Sequence, residues 1–290
     1  MSFNSLYRFW NIPLVLALLS PTAVAIAEDS IDSPLEAKIE RYIKSLRSSG
    51  RIRSCERTAW SVFDFHTGKK IVSINEDTPL QAASMIKPYL ALAFFHRVKE
   101  GRIVYGPKSR RHMELMIQKS NNESTNWVMK QVGGPAGAQS LLKQHYPNLC
   151  EQLSIIEYIP AGGRTYRNKA SARDYSRFLY SLWNGQLPHG KEILRIMSLP
   201  GRDRLYTDAK QVPQGTLVYN KTGSTALCCG DMGILSVRGR NGKRYAYTLI
   251  GIIDSWRKPS SYGPWISARA DVIREVSNIV YLDMKQRHRL

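Results

Sequence analysis

The sequence predicts an α/β fold of the α+β type, in which one antiparallel sheet carries an inserted helical lobe. Three observations lead there. Runs rich in β-branched and aromatic residues lie near both ends of the chain, tight-turn signals join neighbouring runs, and helical periodicity fills the stretch between them. Strands joined by tight turns pair antiparallel. Runs at opposite ends of the chain share one sheet when the helices between them fold as an insertion.

Residues 1–27 are set apart by composition. Arg8 is their only charge, Ile12 to Leu19 is a short apolar run, and Ala25-Ile26-Ala27 is a small-x-small site before Glu28. This predicts a secretory signal peptide, because the apolar run is too short to span a bilayer. Residues 28–290 are then expected as a single secreted or periplasmic domain, monomeric and without stable membrane insertion. "SPLEAKIERYIKSLRS" (33–48) has Leu35, Ile39, Tyr42, Ile43 and Leu46 at helical spacing, with Ser33 as cap and Pro34 at the first helical position. Two short strands follow, Thr58 to Phe65 and Lys70 to Asn75, joined by His66-Thr67-Gly68. Helical patterns run from residue 84 to about 200, broken by loops at 101–109 and 151–170. "GILSVRGRNGKRYAYTLIGIID" reads as a hairpin around Asn241-Gly242, and residues 262–281 return to helix. The α/β lobe therefore spans about 28–83 and 205–290, and the helical lobe about 84–204.

The net charge is +19, and removing Arg8 with the signal leaves +18. Export argues against nucleic acid as the partner and for carboxylate-bearing substrates or anionic wall and membrane surfaces, unless the charge is simply a solvated basic surface. Four cysteines remain, Cys55, Cys150, Cys228 and Cys229, which allow three complete pairings. A bridge between the adjacent Cys228 and Cys229 would be badly strained, so the expectation is one structural disulfide with its partners open. No CxxC pair or histidine cluster points to a metal site, and no cofactor is expected.

Three short stretches carry candidate chemistry. In "QAASMIKPYLALAFF", Ser84 stands three residues before Lys87, where an apolar helix begins. That spacing puts both on one helix face, close enough for the amine to take the hydroxyl proton. Alone, the pair reads equally as a serine cap and an outward-reaching lysine. "KSNNESTNW" places Ser120, Asn122 and Asn126 around another helix start, suited to proton relay and to holding an amide. "VYNKTGSTA" ends a β-rich run with Lys221, Thr222 and Gly223, a cation and a hydroxyl beside a residue that permits close backbone approach.

In this order the three stretches resemble the penicillin-recognising serine hydrolases, the serine β-lactamases and D-alanyl-D-alanine peptidases, and within them the class A β-lactamase branch. "GGP" at Gly133 to Pro135 and "ASARDYSRFL" at 170–179 extend the resemblance over nearly the whole mature chain. It implies a β-lactamase/transpeptidase-like fold with a five-stranded antiparallel sheet flanked by N- and C-terminal helices. It also implies that Ser84 forms an acyl-enzyme with Lys87 as its base, and that Ser120 passes a proton to the departing nitrogen. Asn122 would hold the acyl amide, Lys221 and Thr222 the terminal carboxylate, and the backbone N–H groups of Ser84 and Ser224 would make an oxyanion hole. The implied partner is a peptidoglycan peptide or a β-lactam-like small molecule.

Two features depart from that family. Ser120 follows Ser84 by only 36 positions, fewer than class A enzymes usually have, which predicts a more open cleft. The family's omega-loop glutamate and the asparagine four residues later are matched only by Glu157 and Ala161. Glu157 is thus either the deacylation base or a surface carboxylate. Three readings follow: an acyl-serine hydrolase of D-Ala-type peptides, a β-lactamase using Glu157, or a non-catalytic wall-binding or sensor module on the same fold.

Overall fold

The computed structural model describes residues 33–160 and 167–290 of the chain. The expected signal segment, 1–27, and Ala161 lie outside them. Helix α1 (Pro34–Ser48) leads into strands β1 (Glu56–Asp64), β2 (Lys69–Ile74) and the short β3 (Leu80–Gln81). A 3-10 turn, Ala83–Ile86, runs straight into α2 (Lys87–Lys99). Then come α3 (Pro107–Gln118), α4 (Asn122–Gln131), α5 (Gly134–His145), β4 (Lys169–Ala170), α6 (Ala172–Trp183) and α7 (Gly190–Met197). Strands β5 (Leu217–Ser224), β6 (Cys228–Arg238) and β7 (Arg244–Ser255) and helix α8 (Tyr262–His288) close the chain.

The five long strands form one antiparallel sheet in the order β2-β1-β7-β6-β5. Strands from the two ends of the chain meet at the β1–β7 pair, as the split pattern predicts. Alternation along the strands sorts side chains onto two faces. Trp60, Leu235, Leu249 and Ile253 pack with α1 and α8, while Ala59, Met232, Ile234, Ile250 and Ile252 pack with the helical lobe. Both faces are covered, so β6 and β7 are buried nearly end to end. Helix α2 is buried from Lys87 to His96, which is why it reads as apolar all round. Glu56 at the head of β1 accepts hydrogen bonds from Trp265 and Arg269 of α8, pinning that helix across the sheet.

Several expectations are corrected. Ser33 precedes α1, but its hydroxyl makes no capping bond. Helix α3 starts at Pro107, inside the expected loop, because proline suits a first helical position. Helix α8 runs on to His288. All four cysteines are buried and free, so the expected disulfide does not form. Cys228 and Cys229 point to opposite faces of β6, one into each side of the core, and burial pushes both thiols up. No described helix is long and apolar enough to cross a membrane.

Candidate active site

Ser84 sits in the 3-10 turn that opens α2, one turn ahead of Lys87. The serine is partly exposed and its hydroxyl makes no hydrogen bond among the described residues, whereas Lys87 is fully buried. Ala83, just before the serine, has a φ of 46°, and Ser120 has a φ of 54°. Left-handed backbone at non-glycine residues is strained, and two of the six such residues among those described, Ala83 and Ser120, fall at the candidate site.

Folding brings "SNN" onto Lys87. Its Nζ donates to Ser120 O at 2.7 Å and lies 3.1 Å from both Ser120 Oγ and Asn122 Oδ1. The turn holding Ser120 is fixed by Asn121, which caps α4 by accepting from Ser124 N–H at 2.7 Å. Burial, aided by the charge of Lys221, draws the Lys87 amine down to about 6, so it is largely neutral at pH 7.

Strand β5 lies against the serine turn, and Gly223 is what allows it. A Cβ there would sit 2.9 Å from Met85 Cγ, 3.1 Å from Ala83 Cβ and 3.2 Å from Ala82 O. Gly223→Ala should therefore displace the turn and cost about 1–3 kcal/mol of stability, read from denaturant unfolding. Lys221 is buried, and burial draws it down to about 8, with Asp231 opposing the fall and Arg204 adding to it. Asp231, itself raised to about 6 by burial and by Asp203, is held by Asn220 at 2.9 Å and by Arg204 N–H at 2.7 Å. Thr222 is partly exposed and Ser224 is exposed, whereas Lys87 and Lys221 are buried.

Three further residues matter, and of these the sequence points only to Asn126. Arg204, from the loop before β5, donates to Gly230 O at 2.6 Å and Ser224 Oγ at 2.6 Å, adding a second cation beside Lys221 and Thr222. A lone arginine in a loop carries no sequence signal. Asn126, one turn along α4 from Asn122, clasps the backbone of Ile159, donating to its O at 2.8 Å and accepting from its N–H at 2.9 Å. Asn168 ties the same segment to the serine turn. Its Oδ1 accepts from Ile156 N–H at 2.8 Å and Glu157 N–H at 3.1 Å, and its backbone O accepts from Ala82 N–H at 2.9 Å.

Glu157 is placed within that segment. Its Oε1 accepts from Arg167 N–H at 3.0 Å, and Asn168 Nδ2 donates to its backbone O at 3.1 Å. The residue fastened to α4 is Ile159, which is 4 % exposed and packs in the core of the helical lobe. Ser84, Lys87, Ser120, Asn122 and the β5 residues Lys221 to Ser224 therefore converge, while the Glu157 carboxylate accepts from the backbone of Arg167 in its own loop.

A model of the Beta-lactamase enzyme family matches residues 36–108 and 108–281. The chain is similar in fold to the solved structure of PBP-A, at 21% identity and a TM-score of 0.71, covering 90% of this chain and 100% of that one. A leucine-to-glutamate mutant of PBP-A, solved as an acyl-enzyme complex with penicillin G, matches at 21% identity and a TM-score of 0.67, covering 86% and 97% of the two chains. An ancestral class A β-lactamase matches at 18% identity and a TM-score of 0.68, covering 86% and 99%.

Proposed function

The chain belongs to the Beta-lactamase enzyme family, and on that premise we propose that it is an exported serine acyl-hydrolase. It forms its acyl-enzyme at Ser84 on carboxylate-bearing substrates of the D-Ala peptide or β-lactam-like kind. The observation that carries this reading is the Lys87 amine, buried, largely neutral, and bonded to both Ser120 and Asn122 on the helix that begins at Ser84. Ser120 O and Asn122 Oδ1 only accept, so they take the N–H bonds of a neutral amine and leave its lone pair facing Ser120 Oγ.

The steps balance. Ser84 Oγ attacks the carbonyl carbon and its proton passes to Lys87, freed when Ser120 turns to the substrate. Ser120 gives its proton to the departing nitrogen as the C–N bond breaks, and Lys87 returns a proton to Ser120. Asn122 holds the acyl amide, and Lys221, Thr222 and Arg204 hold the terminal carboxylate. Backbone N–H groups of Ser84 and Ser224 stabilise the oxyanion, a contribution of about 3–4 kcal/mol where such donors are removed singly.

Deacylation is the slow half. A buried isoleucine, not a carboxylate, stands where Asn126 fastens the loop to α4, and Glu157 accepts from the Arg167 backbone. This favours a penicillin-binding peptidase over a β-lactamase that uses Glu157. PBP-A, the fold relative whose mutant is solved acylated by penicillin G, supports penicillin as the labelling reagent. A fluorescent penicillin should label the purified protein persistently while a chromogenic cephalosporin turns over little. Fast turnover would favour the β-lactamase. Neither labelling nor turnover would end the β-lactam link and move the search to D-Ala peptides and simple esters.

The acylation rate should follow a bell. Lys87 must be neutral, so kcat/KM rises with pH through about 6; Lys221 must be charged, so it falls above about 8. Stopped-flow labelling across pH measures this, and a flat profile from about pH 5 to about 9 would remove both lysines from the proposed roles.

A further inference from the structure

Away from the serine turn, at the far end of α2, His96 and Glu100 lie one helical turn apart, and His145, the last residue of α5, comes alongside them. One ligand atom from each of the three falls within 4.8 Å of the others. The His96 and His145 rings are 4.2 Å apart between centroids. His96 Nε2 faces Glu100 Oε1 at 3.3 Å. Two ligands bound at about 2.0–2.1 Å to a tetrahedral ion are themselves about 3.3–3.4 Å apart, so this pair already has the required bite.

A second observation points to the same place. His96 is 7 % exposed, and apart from the 3.3 Å approach of Glu100 Oε1 its buried Nε2 finds no hydrogen-bond partner among the described residues. Its other nitrogen, Nδ1, is 2.7 Å from the hydroxyl of Tyr146, the outer contact that orients a ligating imidazole. Glu100 is oriented as well. Arg97 bonds its Oε2 at 2.7 Å and Arg102 approaches the same oxygen at 3.5 Å, leaving Oε1 for the imidazole side. Glu100 and His145 are exposed, so an ion has a way in and water can take a fourth position.

We propose that His96, Glu100 and His145 form a binding site for a zinc-type divalent transition-metal ion, joining the end of α2 to the end of α5. Two imidazoles and one carboxylate suit such an ion and not calcium or magnesium, which take mostly oxygen ligands. The nearby Arg97 and Arg102 disfavour any cation held by charge alone, which sharpens that selectivity. The site is independent of the acyl-transfer reading and shares no residue with it.

Titration of the full chain with zinc chloride, followed by calorimetry, tests it. One ion per chain should bind saturably, and the thermal midpoint should rise by about 5 °C at roughly a hundred times the dissociation constant. Cobalt(II) in its place should show the visible absorption of a four-coordinate site. His145→Ala, at an exposed position, should abolish these effects without altering the fold. Tyr146→Phe should weaken binding by about 10–100-fold. No saturable zinc binding by the unsubstituted chain, or undiminished binding by His145→Ala, would overturn the proposal. Penicillin labelling at Ser84 reads the other site separately, so either can fail alone.

Discussion

Replacing Ser84 by alanine is expected to abolish covalent labelling by penicillin and to lower acylation by on the order of 10⁴–10⁶-fold. The effect is large because Ser84 Oγ is the atom that would be acylated. Ser120 Oγ is already bonded to Lys87 Nζ, while the Ser84 hydroxyl has no hydrogen bond to lose. For the same reason Ser84→Ala should leave stability within about 0.5 kcal/mol of the parent, which separates lost chemistry from lost fold. Intact-mass measurement after incubation with penicillin gives the answer. An adduct forming on Ser84→Ala at the parental rate would refute Ser84 as the nucleophile.

Ile159→Glu is expected to speed hydrolysis of the acyl-enzyme by about 10²–10⁴-fold, the usual contribution of a positioned general base, while acylation changes little. Asn126 grips Ile159 through backbone atoms only, so a new side chain there keeps both hydrogen bonds. Burying a carboxylate has a cost, and a lower thermal midpoint should accompany the gain. Single-turnover release of labelled penicillin measures the step. Glu157→Gln, run beside it, should leave release unchanged because its carboxylate holds the Arg167 N–H. Slower release in Glu157→Gln with no gain in Ile159→Glu would reverse the assignment and restore Glu157 as the base.

Much of the site is legible in the chain because its parts are local. Ser84 and Lys87 are three apart on one helical turn, Ser120 and Asn122 flank one helix start, and Lys221 to Ser224 end one strand. Short spacing at an element boundary fixes relative placement before any tertiary contact forms. Glu157 was harder to read because loop register is not periodic. Counting from neighbouring motifs reaches Glu157 and leaves open whether it is a base or a surface carboxylate, whereas only the fold shows Asn126 holding Ile159, two residues on. Likewise, adjacent cysteines are visible in a sequence, but their facing opposite sides of β6 follows from strand alternation inside a sheet buried on both faces.

The sequence by itself determined the order of elements, the antiparallel sheet with its helical insertion, and the residue types of the candidate centre. Hydrophobic periodicity, turn chemistry and close spacing are properties of the chain. Only the tertiary structure decided how that centre is charged and fastened. Lys87 is drawn down by burial under Ser120 and beside Lys221, residues 33 and 134 positions away. Arg204 reaches Ser224, Asn126 selects Ile159, and His145 meets His96 across 49 residues. Desolvation and long-range pairing depend on what packs against a residue, and that exists only once the two lobes have closed on α2.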